Sequence, residues 1–187
     1  DDFAGFHNVY PLDGSIEPEA RAGGPNAWLI LAINFYTERT GDRSYLPLGH
    51  KIAEWLLTLQ TREGGIVGGY GKWNEPMSWM AAEHNLYAYA ALRDFAALSR
   101  DDRYLRPAAE IRRWLLCEPY APWYPHPLNG RQYPTCSTGL SSRGVLALGT
   151  ELSPTLAVAE SVSLCTQCCR GSIAVTGSDF GGSCAGT

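Results

Sequence analysis

NAWLILAINFYTERTGDRSYLPLGHKIAEWLL, residues 26–57, decides how this chain folds, because it occurs twice. Shifted by 59 positions it lies without a gap on NLYAYAALRDFAALSRDDRYLRPAAEIRRWLL, residues 85–116. Asn26 falls on Asn85, Ala32 on Ala91, Asp42 on Asp101, Tyr45-Leu46 on Tyr104-Leu105, Ile52 on Ile111 and Trp55-Leu56-Leu57 on Trp114-Leu115-Leu116. The retained positions are bulky or turn-forming. A repeat that keeps its anchors while its surface drifts is one supersecondary unit used more than once, each copy covering a face of the next.

Each copy reads as helix, tight turn, helix. Trp28, Leu29, Leu31, Ala32, Ile33, Phe35 and Tyr36 wrap most of the first helix, which predicts an inner helix with neighbours on several sides. Leu46, Leu48, Ile52, Trp55, Leu56 and Leu59 form a narrower stripe, with Lys51, Glu54 and Arg62 facing water, which predicts an outer helix. Thr40-Gly41-Asp42 ends the first helix, Asp42 or Ser44 is placed to cap the second, and Pro47 and Pro107 sit in first turns, where a missing N–H costs little. The expected fold is all-α, built of repeated αα-hairpins. His50 falls among solvent-facing positions, and Trp28, one turn into an inner helix, reads as core packing or as a ring lining the helix mouth.

Around the repeat, residues 1–25 mix aromatics, Pro, Gly and acids and read as a lead-in that turns at Gly23-Gly24-Pro25. Residues 61–84 form a glycine-rich loop. Its GGIVGGYGK lacks the spacing and the hydroxyl after lysine that a phosphate-binding loop uses. Tyr70, Trp73 and Trp79 alternate there with Lys72, Asn74, Glu75 and Glu83. Flat apolar faces between hydrogen-bonding groups match a sugar ring, whose C–H face packs on an aromatic while its hydroxyls take carboxylates and amides. A second aromatic loop, with Glu118, Trp123 and Tyr124, follows the second hairpin, and Ser142–Gly149 starts a third inner helix. From Glu151 the pattern decays into a Cys-, Ser- and Gly-rich tail, expected to be irregular apart from a possible helix at 155–164. The domain reading is therefore lead-in 1–25, hairpin domain 26–150 and tail 151–187.

The Asn-Ala-Trp opening, Thr-Gly-Asp-x-x-Tyr-Leu, the glycine-rich loop and Glu83-His84-Asn85 at the head of the next helix together resemble six-hairpin (α/α) toroid proteins of the glycosidase type, over roughly residues 5–150. The resemblance implies an incomplete toroid, because three hairpins fill half a ring of six. It implies catalytic carboxylates at the inner-helix mouths, here Glu83 with Glu75 as its candidate partner, or Asp13, Glu17 or Glu118. It places substrate contacts at Tyr70, Trp73, Trp79, His84, Asn85, Trp123 and Tyr124. The chain departs from the family pattern at two alanines before Glu83 and at Tyr87, where the family carries an acid.

Composition bounds the rest. The 187 residues are 45% hydrophobic, enough for a core, and a net charge of −4 with pI near 5.5 leaves no basic footprint for nucleic acid. No apolar run is long enough for membrane insertion. The start at Asp1, without methionine or leader, reads as a processed product or fragment. Cys165-x-x-Cys168-Cys169 and Cys184 lack the second ligand pair of a zinc site, so neither metal nor other cofactor is expected; disulfides, and with them an extracellular or cell-envelope location, fit six cysteines better. Three functions fit: a glycoside hydrolase-like enzyme, a carbohydrate-binding or structural relative, and a helical repeat that self-associates or takes up further polypeptide at open inner faces bearing Trp28, Leu31, Tyr87 and Tyr89.

Overall fold

The computed structural model describes residues 3–13, 19–117, 138–153, 156, 164–168 and 174–178. It is mostly helical. Helices α1 (Gly23–Thr40) and α2 (Leu46–Thr58) form one pair, and α3 (Ala82–Ser99) and α4 (Leu105–Cys117) a second; both elements of the second pair begin 59 residues after their counterparts. Helix α5 (Thr138–Leu148) packs on α3, as α3 packs on α1. The core between them holds Ile30, Ile52, Leu56, Leu86, Leu92, Phe95, Ile111 and Leu115, all fully buried. Each such side chain is worth about 1.5–3 kcal/mol relative to exposure.

The turns inside the two pairs share two defining hydrogen bonds. Gly41 (φ 74°) and Arg100 (φ 60°) both end an inner helix in the left-handed region, and their N–H groups bond Thr37 O and Ala96 O. Asp42 then accepts from Ser44 N and Asp101 from Arg103 N, so each aspartate ties a turn rather than capping the outer helix directly. Pro47 lies in the first turn of α2, where its missing donor is harmless.

The chain is not all-α. Arg21–Ala22 (β1), Gly69–Tyr70 (β2) and Pro76–Met77 (β3) form a small antiparallel sheet, in which Ala22 pairs with Gly69 and Gly69 with Met77. Helical periodicity carries no signal for strands two residues long. Gly69 has φ 122°, and a Cβ there would lie 2.1 Å from Arg21 O, so only glycine brings the two segments together. In the tail, Leu164–Cys168 (β4) and Ala174–Ser178 (β5) pair antiparallel, which replaces the expected irregular coil and ends any helix before Leu164. Among the described residues no helix is long and apolar enough to cross a membrane.

The lead-in belongs to the repeat. Asn85, fully buried, donates to Ala81 O (2.9 Å) and Ile66 O (3.1 Å) and accepts from Ile66 N (2.7 Å). Asn26 does the same with Ala22 O, Phe6 O and Phe6 N at 3.0, 3.0 and 2.8 Å. Beside these clamps, Gly5 lies against Trp55 and Gly65 against Trp114, with room for no Cβ at either position. Gly5-Phe6 and Gly65-Ile66 stand 60 positions apart, one more than the helices, so an ungapped shift passes over them. Helix α1 also starts at Gly23, inside the stretch read as a turn, because Gly23 N–H bonds Gly68 O (2.9 Å) and Pro25 fits a first turn.

Replacing Asn85 by alanine strands the N–H and C=O of Ile66 in a buried site. We expect a loss of about 3 kcal/mol, since each unsatisfied group costs roughly 1–3 kcal/mol. Urea midpoints of wild type and Asn85→Ala check this; a change under about 0.5 kcal/mol, the scale of an ordinary surface substitution, would contradict the clamp.

Candidate functional site

The first turn of α3 carries Glu83 and His84 to the end of the bundle where the sheet lies. Glu83 Oε1 accepts from Tyr87 Oη (2.6 Å), one helical turn on, and from Arg143 Nη1 of α5 (2.6 Å). The guanidinium also sits over the Tyr87 ring, 5.6 Å from its centroid, and the Trp28 indole packs on that ring at 5.2 Å. Tyr87 thus fills the gap between Glu83, Arg143 and Trp28. Burial first, and then the bond to Glu83, push the Tyr87 hydroxyl up to about 12.

On the other side of Glu83, the His84 ring packs edge-on against Trp79 (5.2 Å). Burial lowers its pKa, against the pull of neighbouring Glu83, and its Nδ1 is buried with no hydrogen-bond partner among the described residues. A Cβ on residue 24 would lie 2.4 Å from His84 Cδ2. That packing explains why the position one repeat before Glu83 is glycine: the imidazole occupies the space a side chain there would need.

Glu75 is placed differently. It lies in the turn between β2 and β3, where Oε2 accepts from Trp73 N (2.8 Å) and its carbonyl accepts from Gly71 N (2.8 Å). Lys72 lies over the Trp73 ring and 3.8 Å from Glu19. Asn74, at φ 65°, takes the left-handed position and accepts from Arg21. Glu75 therefore shapes the hairpin that carries Trp73, at 76% the most exposed of the candidate aromatics among the described residues. Tyr70, in β2, lies under the Arg21 guanidinium. Asn85 turns into the clamp and is unavailable to a ligand. Trp123, Tyr124, Glu17 and Glu118 lie outside the described residues.

Two sequence expectations change here. Tyr87 and Tyr89, expected on an open inner face unless covered, are buried under 10% beneath α5 and their arginine partners, while Trp28, expected either in the core or on that open face, is 53% exposed. His50 is half-buried and hydrogen-bonded to Tyr104 rather than solvent-facing. A groove of about 670 Å³ runs from Trp28 between α1 and α3, past Leu31, Phe35 and Leu98 to Glu38 and Asp94. Neither of those acids stood out in the sequence, since Glu38 lies in the last turn of α1 and Asp94 within α3, with no aromatic loop beside either. No family model and no curated protein matches this sequence.

The raised Tyr87 pKa sets a sign. Folding favours the neutral hydroxyl, so its contribution to stability is complete below about pH 10 and is lost as pH rises through about 12. Denaturant titrations of wild type and Tyr87→Phe across that window should show the wild-type advantage shrinking with pH. An advantage independent of pH would contradict the Tyr87–Glu83 bond.

Proposed function

We propose that this chain is a glycan-binding protein of the (α/α) toroid type, an arc of helix pairs that holds sugar at the end where α3 begins. The repeat spacing of the helix pairs and the Glu83-His84-Asn85 turn support the toroid reading. The observation that carries the ligand is the presence of two partly exposed indoles at the head of α3, Trp28 (53%) packed on Tyr87 of the Glu83–Tyr87–Arg143 cluster and Trp79 (39%) packed on the adjacent His84. Indole faces pack on the C–H faces of pyranose rings, and a carboxylate, phenol and guanidinium beside them offer both acceptors and donors to hydroxyls.

Binding without cleavage fits this site better than hydrolysis. A glycosidase uses two carboxylates roughly 5–10 Å apart across the scissile bond, one free to give or take a proton. Here both polar contacts of Glu83 converge on Oε1, tyrosine stands where the resembled family has its further acid, and Glu75 is engaged in its own turn. Hydrolysis remains the second reading on one ground: the Glu83 side chain is still 45% exposed and can meet a ligand.

Retention on α- and β-glucan matrices, with reducing ends assayed in parallel, separates these readings. We expect wild type to be retained and to release nothing. Trp79→Ala and Trp28→Ala should each weaken retention about tenfold, or ~1.4 kcal/mol. Release of reducing ends that Glu83→Gln abolishes would establish the hydrolase, and absence of retention on every glycan would reject both.

A further inference from the structure

The groove between α1 and α3 offers a ligand apolar walls and hydrogen-bond acceptors. Trp28, Leu31 and Phe35 line it, and its polar atoms come from Asn34, Glu38 and Asp94. The donors among these side chains are already committed: Asn34 Nδ2 donates to Ala91 O (3.1 Å), and the Trp28 indole N–H bears on the Tyr87 hydroxyl. Asn34 is only 5% exposed, and its Oδ1 is buried with no hydrogen-bond partner among the described residues. An acceptor buried without a donor is costly, so the site favours an occupant that brings an N–H to it.

Charge points the same way. Glu38, one turn beyond Asn34, has no ion pair or hydrogen bond among the described residues. The cations around the groove are engaged: Arg93 holds Asp94 (2.7 Å), Arg39 lies over the Phe35 ring (5.3 Å) and Arg43 donates to Leu98 O (2.7 Å). One repeat later the chain supplies the cation itself. Arg93 stands 59 positions after Asn34, donates to Ala147 O of α5 (3.1 Å) as Asn34 donates to Ala91 O of α3, and lies over the Tyr89 ring at 5.2 Å. With asparagine in place of arginine, the α1–α3 junction has no cation of its own at that position.

We propose that this groove binds an amphiphilic organic cation, whose ammonium group donates to Asn34 Oδ1 and faces the Glu38 and Asp94 carboxylates while its apolar chain lies along Leu31 and Phe35 toward Trp28. Asn34 and Glu38 are neighbours at i, i+4 on one helix, close enough for a single ammonium to meet both. Trp28 and Glu38 stand ten residues apart, about 15 Å along the helix axis, and the volume of about 670 Å³ is that of a small-molecule site. The groove needs no sugar, and the proposal stands or falls independently of the glycan reading.

Calorimetric titration of the full chain with octylammonium, 1-octanol and nonanoate, which share one chain length and differ in head group, tests it without any variant. Octylammonium should bind most tightly and nonanoate least, and shortening the ammonium's chain should weaken binding about fourfold for each methylene removed. The methyl resonances of Leu31 and Ala32 should shift with the same midpoint. Glu38→Gln, a change at an exposed position, should weaken octylammonium about threefold, the scale of an exposed ion pair, and leave 1-octanol unchanged. Absence of octylammonium binding, equal affinity for the three head groups, insensitivity to Glu38→Gln, or binding that leaves Leu31 and Ala32 unmoved would each overturn the proposal. A sedimentation mass that rises with concentration, together with shifts of those methyls in the absence of amine, would give the groove to a second copy and overturn it as well.

Discussion

A buried carboxamide at the fourth position of each inner helix holds this architecture together. Asn26 and Asn85 each use both ends of the amide: the nitrogen donates back to the residue before the helix and across to a neighbouring segment, and the oxygen accepts from that same segment. A passing loop exposes both N–H and C=O, and burying either without a partner costs roughly 1–3 kcal/mol per group. One asparagine satisfies both, and its second N–H ties them to the carbonyl that precedes the helix. It also fixes where the loop crosses the helix, and so where Gly5 and Gly65 meet the outer-helix tryptophans, and where the sheet forms.

The candidate site is a consequence of that placement. With Asn85 turned into the clamp, the residues before it in the first turn, Glu83 and His84, point to either side of the helix mouth. His84 takes the space over Gly24 and packs edge-on against Trp79; Glu83 reaches Tyr87 and Arg143. The aromatic groups that could hold a sugar are therefore positioned by the same hydrogen bonds that start the helix. Changes at the clamp are expected to disturb the site through its backbone, whereas changes at Trp28 or Trp79 alter only the surface.

Much of the scaffold was legible because its signals are local. The 59-residue repeat, the glycine at position 41 and the spacing of Ile52, Trp55 and Leu56 set both helix pairs directly. Other features depend on tertiary pairing. Strands of two residues have no period, and the Gly5-Phe6 segment was hidden by a one-residue change in spacing. The exposure of Trp28 and of His50 depends on neighbours that periodicity does not show: Trp28 packs on Tyr87 yet stays 53% exposed, and His50 finds Tyr104 across the gap between two pairs. In the site, the place of Glu83 at a helix start could be read, but not its pairing with Arg143, which lies 60 residues away. Its lack of a counterpart at Gly24 has a packing cause, the His84 ring, and carries no functional weight.

The most direct test of the glycan reading is a heteronuclear NMR titration that follows the indole N–H resonances as a gluco-oligosaccharide is added. The account predicts saturable shifts at Trp28 and Trp79, with Trp55 and Trp114, buried against Gly5 and Gly65, unmoved. Unchanged Trp28 and Trp79 resonances at saturating sugar, across both α- and β-linked series, would contradict it.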